Sequence, residues 1–129
     1  TPFAYEKAEV WSRRKPELVK RAGFTLMALF AVHDKKASDD QFEALLPLIE
    51  REATDDRHLV RKAVNWALRQ IGKRNGKLRL AATATAERLL EQSNDDARWV
   101  ASDALRELQK TGPRRGQRSS SPRKAKSSE

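Results

Sequence analysis

The stretch LVRKAVNWALRQIGKRN, residues 59–75, holds both the pattern that sets the fold and a side chain that raises a question of function. At about 100° per residue, with Leu59 at zero, Val60, Ala63, Val64, Ala67 and Ile71 fall between about 40° and 140°. That arc is the apolar stripe of an amphipathic helix buried on one side. Trp66 lies outside it at about 340°, beside Lys62 at about 300°, Lys73 at about 320° and Arg69 at about 280°. A ring that ordinarily seeks a core is therefore expected to stand in a cationic face.

The rest of the chain reads in the same helical idiom. Its 129 residues suffice for one domain with a modest core. β-Branched and aromatic residues never alternate over several positions, while Ala, Leu, Arg, Lys and Glu dominate, so an all-helical chain is expected. Pro2 suits the first turn of a helix running to about Arg13, and Pro16 opens a second reaching about His33. Ser38 with Gln41 forms a capping box that starts a third, to about Ala53. Asp55 or Asp56 is expected to cap a fourth, from about Arg57 to Lys73, and Asn75-Gly76 breaks the chain. A fifth helix follows to about Gln92, and Asn94 or Asp95 caps a sixth that ends near Lys110, before Gly112-Pro113.

Two internal matches order these helices. Leu18-Val19-Lys20-Arg21-Ala22 corresponds to Leu59-Val60-Arg61-Lys62-Ala63 at an offset of 41 residues, and Ala67-Leu68-Arg69 returns as Ala104-Leu105-Arg106 at an offset of 37. Such spacings suit HEAT-type helical hairpins. The expected fold is all-α, a HEAT-like α-solenoid of about six helices in three antiparallel pairs. The second, fourth and sixth helices then line one face, with Arg21 and Lys62 at matching positions and Lys20 and Arg61 beside them.

Composition excludes several function classes. There is no cysteine, and His33 and His58 are the only histidines, so no disulfide, thiolate metal site or metal cofactor is expected. No apolar run approaches the roughly 20 residues needed to cross a bilayer. A soluble, monomeric, cytoplasmic and nucleoid-associated protein is the expectation. The chain opens Thr1-Pro2-Phe3 without an initiator methionine, which reads as the C-terminal part of a longer protein.

The formal charge of +9, from 27 Lys and Arg against 18 Asp and Glu, is uneven. Six basic residues and one acid lie in TGPRRGQRSSSPRKAKSSE, residues 111–129, which therefore carry over half of the excess. That segment lacks large apolar residues and is expected to be a disordered basic tail after a helical domain over 1–110. It serves either as an unspecific attractant for nucleic acid or as a solubilising tail without a partner.

Among the aromatic residues, Trp11 follows Ala4 and Ala8 at helical spacing and is expected in the core. Trp99 lies roughly opposite Ala97, Ala101, Ala104 and Leu108, where it faces a ligand or packs against its neighbour or the tail. Trp66 is either a ring packed on the adjacent hairpin under lysine stems or a stacking surface for a base or nucleotide flanked by phosphate-binding charges. The acids Asp39, Asp40, Asp55, Asp56, Asp95 and Asp96 cluster at expected helix starts, where they satisfy free amides and the helix dipole. No Ser-His-Asp set, phosphate-cradling glycine loop or metal-ligand spacing occurs.

VWSRRKPELVKRAGFTLMALFAVHDK, followed by LVRKAVNWALRQIGKRN, resembles the later part of the DNA alkylation repair proteins, the AlkD-like DNA glycosylases built from HEAT-like repeats. The resemblance extends over residues 1–110 and leaves out the tail. It implies hydrolysis of the N-glycosidic bond of cationic alkylated purines such as 3-methyladenine and 7-methylguanine, in double-stranded DNA and without a metal. It implies that Trp66, in the RKAxxWxLR segment, is an active-site tryptophan and that Arg21 approaches DNA at the lesion. Lys20, Arg61, Lys62, Arg69 and Lys73 are the expected DNA-binding cations. The catalytic Asp of that family lies upstream of the positions matched here, so the alternative is a non-catalytic HEAT-like scaffold that binds nucleic acid or an acidic protein.

Overall fold

A computed structural model describes the chain over residues 2–111. The tail expected over 111–129 lies, apart from Thr111, outside the described residues. Six α-helices and no strand occur among them: α1 (Pro2–Ser12), α2 (Glu17–His33), α3 (Asp39–Glu52), α4 (His58–Gly72), α5 (Gly76–Leu90) and α6 (Asp95–Thr111). The boundaries follow local chemistry. The Ser38 hydroxyl accepts from Gln41 N while the Gln41 side chain accepts from Ser38 N, a complete capping box for α3. Asn75 and Asn94 each accept the amide three residues on, from Leu78 and Ala97, and so start α5 and α6. The start of α4 differs from expectation: Arg57 occupies the N-cap position without a side-chain cap. Asp55 instead accepts from Arg57 N, and its carboxylate is turned to ion pairs.

Each odd helix packs on the even helix that follows it, and the three hairpins stack into two layers, α1-α3-α5 and α2-α4-α6. This is the HEAT-like helical repeat. Helix α4 sits at its centre, touching α2, α3, α5 and α6. The apolar stripe read from residues 59–75 is all buried, Val60, Val64, Ala67 and Ile71 completely so. The buried arc is wider than the stripe, because Leu68 is fully enclosed and Asn65 is buried with its amide donating to Val100 O at 3.1 Å. A central solenoid helix has neighbours on three sides, so residues flanking its apolar arc are covered as well.

Two glycines permit close approach. A Cβ at Gly23 would collide with Ser12 N and stand 2.7 Å from Ala8 O, so α1 and α2 meet backbone to backbone. At Gly72 it would meet the Leu108 side chain at 2.7 Å. Trp11 departs from expectation. It is half-buried and outside the core cluster, which α1 instead supplies with Tyr5 and Ala8. Those are the positions that turn toward α2 and α3, where the Tyr5 ring packs on Phe30 and Phe42 and its hydroxyl donates to Asp34 Oδ2 at 2.9 Å.

Arginines stitch the hairpins together at both ends. Arg57 Nη1 donates to Lys15 O and so ties the connection before α4 to the one before α2. Arg74, stacked 4.4 Å from the Phe42 ring, donates to the carbonyls of Ala31, Asp34 and Ala37 and satisfies the end of α2. No helix among the described residues is long and apolar enough to cross a membrane.

Candidate nucleic-acid interface

The layer α2-α4-α6 presents an open cleft of about 420 Å³ between α2 and α4, lined by Arg21 and Thr25 from one helix and Leu59, Lys62, Ala63, Trp66 and Arg69 from the other. Arg21 and Trp66 thus converge from positions far apart in sequence. The two helices run alongside each other, and the repeat sets both side chains on the same layer. Trp66 is half-buried, with part of its ring packed against the core and part open to the cleft. Arg21 and Lys62 are exposed. Neither has an ion-pair partner among the described residues. The cleft is lined by no carboxylate among those residues, so the charges of Arg21 and Lys62 meet no acid in its walls.

The remaining expected cations take other parts. Lys20 does not stand with Arg21 on the cleft. It is buried, and its ammonium pairs with Glu52 and with Asp55 at 2.8 Å. One step along a helix turns a side chain by about 100°, enough to send Lys20 inward while Arg21 faces out. Hydrogen bonds from Arg57, and then from Lys20, hold the Asp55 carboxyl well below the usual carboxylate range against the opposing effect of burial.

Arg61 and Arg69 of α4, with Lys73 at its C-cap, form a ladder with three acids of α6. Arg61 Nη1 donates to Asp96 Oδ1 at 2.9 Å, Lys73 Nζ donates to Glu107 Oε2 at 2.9 Å, and Arg69 Nε lies 3.9 Å from Asp103 Oδ2. The near-constant sequence separation of the paired residues makes α4 and α6 parallel neighbours in fixed register. Arg61 also stacks 4.7 Å from the Trp99 ring centroid, and Trp99 is 39% exposed. That cation–π contact gives Trp99 a neighbouring side chain rather than the cleft. The hydrogen bond from Lys73 lowers the Glu107 carboxyl below its ordinary value. Arg61 and Lys73 therefore spend their charge within the protein, and the pairing of Lys73 corrects the expectation of a uniformly cationic face around Trp66. Arg69 is divided between the cleft and the ladder.

A second cleft, of about 340 Å³, opens between α1 and α3 at Tyr5, Glu6, Glu9, Asp40, Gln41 and Ala44. Its acids stand on the opposite layer, so of these two clefts it is the one between α2 and α4 that attracts anions. Among the described residues, no group of three or more His, Asp or Glu is placed to hold a metal ion.

The ladder is what sequence reasoning missed. Asp103 and Glu107 lie four residues apart on α6, as do Arg69 of α4 and Lys73 at its C-cap, and that matched spacing was the available signal. The Ala-Leu-Arg match between these helices has an offset of 37, whereas paired residues are separated by 34 or 35. Equivalent residues are thus not the ones that face each other.

No curated protein and no solved structure matches the chain. The family model of the DNA alkylation repair enzyme matches residues 2–108, which takes in α1 to α5, α6 as far as Leu108, and both walls of the cleft. A helical-repeat body with an aromatic ring set between exposed cations is in keeping with that match, and the chain belongs to the DNA alkylation repair enzyme family.

Proposed function

We propose that the α2-α4 cleft receives the backbone of double-stranded DNA at an alkylated nucleotide and serves the excision of cationic purines such as 3-methyladenine and 7-methylguanine. The observation that carries this reading is the convergence in one open cleft of Trp66 with Arg21 and Lys62, neither cation being ion-paired among the described residues. Arg21 and Lys62 engage phosphates and release their counterions. The exposed part of the Trp66 ring offers its electron-rich face to the deoxyribose or the cationic base, an attraction of about 0.5–2 kcal/mol for a cation.

A cationic purine is a good leaving group, so the chemical demand falls on the sugar. As the N-glycosidic bond lengthens, positive charge develops on the deoxyribose, and a carboxylate beside it stabilises that charge and orients water. The cleft supplies no such carboxylate among the described residues. Hydrolysis at this site therefore needs an acid beyond the cleft lining, and the lining residues bind and position the nucleotide. The same observation favours one second reading, a non-catalytic module that grips duplex DNA for a partner.

Duplex DNA bearing a single 7-methylguanine separates the two. The residue 1–129 chain is expected to bind it and release little free base, while a longer version that carries an acid at the cleft releases the base. Trp66→Ala in that longer version is expected to lower excision more than affinity for undamaged duplex. Equal losses in both assays reduce Trp66 to a packing residue, and a longer version that binds without excising establishes the module.

A further inference from the structure

The rungs of the α4-α6 ladder are unequal. The outer two, Arg61 with Asp96 and Lys73 with Glu107, are hydrogen-bonded at 2.9 Å. The middle one is not, because 3.9 Å between Arg69 Nε and Asp103 Oδ2 is beyond hydrogen-bond reach. Arg69 Nε is buried without a hydrogen-bond partner. Asp103 is engaged elsewhere, since its Oδ1 accepts from Arg106 Nη2 at 3.0 Å. Arg69 and Arg106, which correspond to each other in the Ala-Leu-Arg repeat, therefore stand on either side of one carboxylate. The loose rung is also the one that reaches the cleft, where Arg69 joins the lining of Trp66 one turn further along α4.

We propose that Asp103 is a positioning residue that holds Arg69 in reserve as a third phosphate-binding cation of the cleft. The inference rests on the reading of the cleft as a DNA backbone site. Without nucleic acid, Asp103 balances Arg69 through space at no cost in hydrogen bonds. A phosphate arriving at Arg21 and Lys62 draws the guanidinium toward the cleft, where it gains the acceptor it lacks, and Arg106 keeps Asp103 paired. The carboxylate thus competes with phosphate for one arginine and tempers the charge around Trp66. Asp96 has no such role, because its partner Arg61 is already hydrogen-bonded to it.

The test is a double-mutant cycle read by duplex DNA affinity across a salt series. Asp103→Asn is expected to tighten binding about two- to fivefold at low salt, the range for a loose, solvent-screened ion pair, and to steepen the log–log salt slope by up to about 0.9. Both changes are expected to vanish in an Arg69→Gln background, and Asp96→Asn is expected to leave the slope unchanged. Arg106→Gln, at an exposed position, frees Asp103 to take Arg69 and is expected to weaken binding, again only while Arg69 is present. It keeps the question answerable if Asp103→Asn folds poorly. An unchanged slope in Asp103→Asn, or effects that persist without Arg69, overturn the inference. If Arg21→Gln lowers affinity while the cycle is flat, the inference alone fails. If neither Arg21→Gln nor Trp66→Ala affects binding, or the wild-type chain binds no duplex, the reading of the cleft fails with it.

Discussion

Lys62 stands on α4 and Lys73 at its C-cap, yet Lys62 is exposed at the α2-α4 cleft without an ion-pair partner among the described residues and Lys73 is bound to Glu107 at 2.9 Å on α6. Equal charges less than two heptads apart thus belong to different parts of the molecule, one to a surface and one to a joint.

That division predicts opposite phenotypes. Lys62→Gln and Arg21→Gln are each expected to reduce the salt slope of duplex DNA binding by about 0.9 for every phosphate left without its cation, with little change in melting temperature. Lys73→Gln is expected to leave the slope intact and to lower the melting temperature, because Glu107 loses its hydrogen-bond donor. Salt titrations and thermal melts of the three variants decide it, and a slope change in Lys73→Gln contradicts the assignment.

Gly23→Ala is expected to destabilise the chain by about 1–3 kcal/mol or more, since the added methyl meets the Ser12 and Ala8 backbone rather than a side chain able to move. The better helix propensity of alanine, worth about 1 kcal/mol, acts in the other direction. A neutral or stabilising result in chemical denaturation would mean that α1 is not seated on α2 as described.

Acid should loosen the joints in a defined range of pH. Asp55, Asp34 and Glu107 are all held below their ordinary values, the first chiefly by Arg57, the second by the Tyr5 hydroxyl and the third by Lys73. A carboxyl lowered in the folded state binds its proton more readily when unfolded. Its contribution is therefore complete above about pH 4 to 5 and is lost as pH falls through the folded-state value. The melting temperature is expected to be nearly flat from about pH 8 to 5 with respect to these groups and to drop below about pH 4. Asp55→Asn is expected to lower it at neutral pH and to make the acid drop shallower. An equally steep drop in Asp55→Asn would remove Asp55 from the account.

Much of this molecule was legible in the order of its residues. The helical period of Val60, Ala63, Val64, Ala67 and Ile71, the capping box at Ser38 and Gln41, and the breaks at Asn75 and Asn94 are local in origin. They follow from backbone geometry and from amides that need acceptors within a few residues. The offset repeat likewise set Arg21 and Lys62 on corresponding turns, and the same period put Trp66 outside the apolar arc. What only the tertiary structure decided is which charges remain available. A helical wheel assigns an angle to a cation and says nothing of the helix that will face it. Lys20 met Glu52 and Asp55, Arg61 met Asp96 and Trp99, and Lys73 met Glu107 because stacking brought distant acids within hydrogen-bond reach. Register between stacked helices depends on side-chain packing across the interface, as at Gly72 against Leu108 and Asn65 against Val100, and no window of sequence contains both sides of it.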